Sequence, residues 1–104
     1  MSGKSPTQRS LEMLRDKGYL CQVVERWNPH ARIRIDLFTI GDIIAIRDSE
    51  TLLVQTTSNN NLNARVKKIE SCEFLPAIIR AGWKIEAHGW RKLKSGWACK
   101  IVGF

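Results

Sequence analysis

The chain has 104 residues, 43% of them hydrophobic, which is enough for one small domain around a single core and too few for a second module. Its 17 basic residues outnumber 10 acidic ones, giving a formal charge of +7, and the excess lies at the two ends: +3 over residues 1–41, zero over 42–82 and +4 over 83–104. Such an excess points to a polyanionic partner. Nucleic acid is favoured over membrane, because no segment is long and apolar enough to span a bilayer and no strongly basic amphipathic helix stands out. A basic surface with no partner is the competing reading.

Cys21, Cys72 and Cys99 are odd in number and far apart, and they sit in apolar sequence with no CxxC pair, as expected of small buried hydrophobes in a reducing cytoplasm. The N-terminus lacks the apolar core of a secretory signal. Ser5 as N-cap, Pro6 at the first helical position and Gln8 closing a capping box predict a helix over Thr7 to Lys17. Gly18 stops it, and Leu11 and Leu14 face inward. Tyr19 to Trp27 is rich in β-formers and predicts the first strand, interrupted by Asn28-Pro29-His30. Residues 31–40, where Arg32 and Arg34 alternate with Ile33 and Ile35, are expected to be loop.

Gly41-Asp42-Ile43-Ile44-Ala45-Ile46-Arg47, the turn Asp48-Ser49-Glu50 and Thr51-Leu52-Leu53-Val54-Gln55-Thr56-Thr57 predict a hairpin of two mostly apolar strands. Asp42 heads one strand and Gln55-x-Thr57 ends the other. Paired strands lie about 5 Å apart, so an acid and an amide oxygen placed in this way can meet at one point and hold a divalent cation against a phosphate. A helix is expected over about 62–69, a short one over 76–81 closed by Gly82, a half-buried strand over Trp83 to Trp90, and a last strand over Trp97 to Phe104. Trp83 and Trp97 fall in phase with the core. The order of helix, three strands, helices and two strands predicts an α/β sandwich with a mixed five-stranded sheet.

A helix bearing Glu12, a strand, a hairpin carrying Asp42 and Gln55-x-Thr57, and a following helix resemble the PD-(D/E)xK nuclease core. Size and order are most similar to archaeal-type Holliday junction resolvases and their phage relatives. The resemblance spans about Ser5 to Trp90 and rests on motif order with secondary structure, since Gly41 stands where the family has its proline. It implies a restriction-endonuclease-like fold over residues 1–104 as a single nuclease-like domain. It further implies a homodimer acting in DNA recombination in a bacterial, archaeal or phage-infected cell. By position it makes Glu12, Asp42, Gln55 and Thr57 the catalytic set, with Asp42 and Gln55 holding Mg²⁺ or Mn²⁺. Gln55 stands where the family has its second acid, and Thr57 where it has its lysine. The amide removes one negative charge from the site, and the threonine removes the cation that activates the attacking water.

A displaced base on the next helix, from Arg65, Lys67 or Lys68, would restore that cation; a solvated or DNA-facing helix surface is the other reading of these residues. Asp36 and Glu25 are further acids, read respectively as a turn cap and as the partner of a nearby arginine or of Asp42. His88, Trp90, Arg91, Lys92 and Lys94 form a basic run with an aromatic, suited to phosphate contact and stacking on DNA, while a dimer-interface tryptophan competes for Trp90. Three functions remain open: a metal-dependent endonuclease on branched or structured DNA, a catalytically impaired DNA-binding accessory module of the same fold, and a non-enzymatic structural dimer.

Overall fold

A computed structural model describes residues 3–104. The first helix, α1 (Pro6–Asp16), starts as its sequence dictates: Gln8 N donates to Ser5 Oγ at 3.1 Å and Ser5 N donates to Gln8 Oε1 at 2.9 Å, so two otherwise orphaned N–H groups satisfy each other's side chains. Gly18, at φ +91°, ends it in a backbone conformation open to glycine.

The β-rich stretch after Tyr19 splits in two. Strand β1 (Leu20–Val23) joins the main sheet, whereas β2 (Arg26–Asn28) leaves it and pairs antiparallel with β3 (Ile33–Ile35) as a separate ribbon. The division follows from local chemistry. Asn28 Oδ1 accepts from the N–H groups of His30 and Ala31 at 3.0 and 3.2 Å, so the Asn-Pro corner becomes a tight reversal that hands Arg26–Asn28 a nearby partner. Residues 33–35, expected as loop, supply that partner because isoleucine alternates there with arginine.

The hairpin forms from β4 (Ile43–Arg47) and β5 (Glu50–Ser58), with Asp48 at φ 54° in its turn. A 3-10 turn over Asn59–Asn61, helix α2 (Leu62–Glu70) and helix α3 (Leu75–Arg80) then carry the chain to β6 (Lys84–Leu93), which lies parallel to β5. Strand β7 (Gly96–Gly103) returns antiparallel, completing a mixed sheet in the order β1-β4-β5-β6-β7.

Helices cover both faces of that sheet. Leu14 of α1 packs with Cys21, Ile43, Ala45, Leu52 and Val54 on one side, while Ile69 of α2 and Ile78 of α3 pack with Leu53, Ile85 and Ala87 on the other. Covered on both sides, β5 is buried without a break from Leu52 to Thr57. The same cover also corrects two expectations for β6. His88 and Trp90 lie on the α1 side and are 0% and 9% exposed, so they are interior groups and not a DNA-contacting pair. Trp97, expected in the core, is 45% exposed on edge strand β7 beneath the guanidinium of Arg9, whose carbon lies 3.8 Å from the ring centroid. Trp83 is partly buried against the α2/α3 side, as expected.

Candidate metal and phosphate site

Asp42 and Gln55 meet because of strand register. Ile43 pairs with Val54, so the residue before one lies opposite the residue after the other. Gln55 Nε2 donates to Asp42 Oδ2 at 2.6 Å. The same oxygen accepts from Thr56 N at 2.8 Å and Thr56 Oγ1 at 3.2 Å. Since the Thr56 hydroxyl donates to Asp42, Thr7 at the start of α1 is the donor in the 2.8 Å contact between the two threonine hydroxyls. Oδ2 is thereby held by three protein donors. Gln55 is 2% exposed, and its Oε1 accepts no hydrogen bond from the described residues. A buried amide oxygen without a donor is costly, unless something electropositive meets it.

Two more carboxylates complete the cluster. Ligand oxygens of Glu25, Asp36 and Asp42 all lie within 4.8 Å of one another, so the three acids could hold a metal ion. The ribbon brings them together: Arg26 pairs with Ile35, so the residues flanking that pair, Glu25 and Asp36, emerge side by side at its root. Both N–H groups of the Val24-Glu25 step point to the carbonyl of Asp42, at 2.8 and 3.4 Å, which fastens the root to the head of β4. Burial, followed by the charge of Asp42, pushes the Asp36 carboxyl above the usual carboxylate range.

These groups line a cleft of about 400 Å³ that also takes in Arg34, Thr57, Ser58, Arg65 and Lys68. Arg34 Nη1 is 3.0 Å from Glu25, and Lys68 Nζ is 3.5 Å from Asp36. The cleft lies at the carboxyl end of β5, whose residues 55–58 line it, beside the start of α1 through Pro6 and Thr7.

The expected site residues divide accordingly. Asp42, Gln55, Thr57, Arg65 and Lys68 line the cleft; Glu12 does not. It faces outward from α1 and binds Lys4 at 2.7 Å, because the side of the helix turned to the sheet is the one bearing Ser10 and Leu14. Lys67 is exposed on α2 outside the cleft lining. Arg91, Lys92 and Lys94 are exposed, and they follow Trp90, which pairs with Ser58, so they extend from the cleft end of the sheet. Arg34, Thr56 and Thr7 were not foreseen. The legible signal for the acid cluster was the pair of acids bracketing an Arg-rich stretch at 25 and 36, which antiparallel closure must bring together.

No family model, no curated protein and no solved structure matches this chain. Its chemistry therefore rests on the arrangement itself. Three carboxylates form a hard, all-oxygen donor set that could hold a metal ion, and the cations Arg65 and Lys68 line the same cleft. No helix among the described residues is long and apolar enough to cross a membrane.

A second polar constellation, Ser10–His88–Glu86, has the residue types of a hydrolytic triad and not its exposure. Trp90 Nε1 can only donate, and it does so to Ser10 Oγ at 2.8 Å. The Ser10 hydroxyl then donates to His88 Nδ1 at 2.9 Å, leaving Nε2–H to donate to Glu86 Oε1 at 2.9 Å. Ser10 and His88 are both 0% exposed, so the relay fastens α1 to β6 and offers no nucleophile to a substrate.

Proposed function

We propose that the cleft is the active site of a divalent-metal-dependent endonuclease that acts on branched or structured DNA. One observation carries this reading: Asp42, fixed by three donors, shares a cleft with two further acids and the cations Arg65 and Lys68. The order α1, β1, hairpin, helices, β6 also supports a restriction-endonuclease-like core resembling that of the PD-(D/E)xK nucleases.

Asp42, Glu25 and Asp36 would hold the cation, with Gln55 Oε1 as a neutral fourth donor. Bound there, Mg²⁺ or Mn²⁺ would polarise a phosphodiester oxygen and lower the pKa of a bound water. Arg65 and Lys68 would orient the phosphate and offset its developing charge. Thr57, in the position of the family's lysine, supplies a hydroxyl and no charge, so that task falls to Lys68 on α2. Arg91, Lys92 and Lys94 would carry the flanking backbone, since phosphate contacts position a duplex without reading it.

The test is cleavage of a fluorescent four-way junction and a matched duplex in Mg²⁺, Mn²⁺ or EDTA, with Asp42→Asn as the control. Metal-dependent cleavage lost in Asp42→Asn is the expected result. Binding without cleavage under every metal would replace the enzyme with a DNA-binding accessory module, a reading favoured by the neutral Thr57 and by the contact of Lys68 with Asp36.

A further inference from the structure

Strands β2 and β3 pair with each other and with no strand of the main sheet, and every residue from Arg26 to Arg34 except Asn28 is exposed. A free two-stranded ribbon is marginal in water, and this one spends strong β-formers on solvent: Trp27 is 56% and Ile33 52% exposed. Residues 26–35 contain three arginines and no acid. By register Trp27 shares a face with Arg34, while Arg26, Asn28, Ile33 and Ile35 share the other; Arg32, at φ 54°, stands at the tip. Each face and the tip thus combine an arginine or a polar group with exposed apolar surface. That composition suits a groove lined by phosphates more than a hydrophobic interface or open solvent.

We infer that the β2–β3 ribbon docks in the major groove of duplex DNA beside the cleft, a placement that rests on the nucleic-acid reading of that cleft. The dimensions agree, because a major groove about 12 Å wide admits a two-stranded ribbon. Charge agrees as well: Arg26 and Arg32 reach the phosphates at the groove's edges, and Trp27, on the face opposite Ile33, offers apolar contact with the sugar and base edges. The ribbon's root is the acid cluster itself, through Glu25, Asp36 and the bonds from Val24 and Glu25 to the Asp42 carbonyl. A duplex held by the ribbon therefore presents a phosphate to the cleft at a set distance. Arg34 is engaged by Glu25 at that root and is left out of the test.

Binding of a labelled 20-base-pair DNA duplex, measured by fluorescence anisotropy across a salt series with Ca²⁺ replacing Mg²⁺, examines this directly. The double variant Arg26→Ala/Arg32→Ala should flatten the log–log salt slope by about two units and weaken binding about 30-fold near 150 mM salt. Trp27→Ala should weaken binding with the slope unchanged, because it releases no counterions. The charge-matched control Lys17→Ala/Arg80→Ala, on surfaces away from the ribbon, should change neither by a comparable amount. Retained terbium luminescence at the acid cluster and an unaltered Tm keep a folding defect from mimicking the result. An A-form RNA duplex, whose major groove is too deep and narrow for a ribbon, should not show the Trp27 effect. Unchanged affinity and slope in the arginine double variant would overturn the ribbon's role while leaving the cleft to be decided by cleavage. Equal losses on DNA and RNA duplexes would overturn the groove placement. Loss of DNA binding in a protein that cleaves nothing would retain the ribbon and remove the nuclease.

Discussion

The side-chain amide of Gln55 is held by one end: its nitrogen donates to Asp42 Oδ2 at 2.6 Å, and its oxygen, on the same planar group, accepts nothing from the described residues. Only the nitrogen can donate to a carboxylate, so the orientation of the amide is settled by chemistry. Its oxygen is therefore a buried acceptor without a donor among the described residues.

Gln55→Glu should separate the two ends. A carboxylate cannot donate to Asp42, so the charge-assisted bond is lost and two buried acids are set against each other; without metal, stability should fall by at least the about 1.5–3 kcal/mol such a bond contributes. The added charge should strengthen cation binding. Thermal denaturation with and without Mn²⁺ should show a lower Tm for the metal-free variant and a larger metal-induced rise than in the parent. An equal rise in both proteins would place the cation elsewhere.

Among the described residues Lys68 is the one lysine lining the cleft, while Thr57 is neutral. Lys68→Ala should lower single-turnover cleavage by about 10²-fold to 10³-fold, as loss of a preorganised charged donor does. Thr57→Lys should restore part of that loss in the same background. Mn²⁺ should support faster cleavage than Mg²⁺, since it dehydrates more readily and tolerates a less regular set of oxygen ligands. A rate insensitive to Lys68 would move charge stabilisation to Arg65.

The residue before Asp42 has no room for a side chain. A Cβ at Gly41 would lie 2.3 Å from Leu53 Cδ1. Gly41→Ala must displace a fully buried leucine, which should lower stability by about 1–3 kcal/mol. Because the clash is with one side chain, the effects of Gly41→Ala and Leu53→Ala in chemical denaturation should be less than additive. Strict additivity would mean that Gly41 is needed for another reason.

Ser10 links Trp90 to His88, both interior. Ser10→Ala leaves an indole N–H and an imidazole nitrogen unpaired, at about 1–3 kcal/mol each in urea unfolding. Affinity for single-stranded and junction DNA should be unaltered at temperatures where the variant is folded. A selective loss of junction binding would return Trp90 to a contact role.

Local rules were sufficient for much of this molecule. The capping box at Ser5 and Gln8, the apolar hairpin on either side of Asp48, and the crossover helices between two strands are encoded by neighbours in sequence, and so the mixed five-stranded sheet was legible. The meeting of Asp42 and Gln55 was legible too, because hairpin register depends on a short turn. What lay beyond reach depends on distant segments. Glu12 and Ser10 lie on the same helix, and which of them faces the sheet was decided by where α1 docks. His88 and Trp90 read as an exposed basic stripe because period two marks one face of a strand as wet, and only the second helical layer made both faces dry. Glu25 and Asp36 are separated by ten residues and belong to one site because an Asn-Pro reversal folds the chain between them. Propensity describes each of those residues alone, whereas a cluster of like charges exists only once the backbone has closed and set Arg34 and Lys68 beside it.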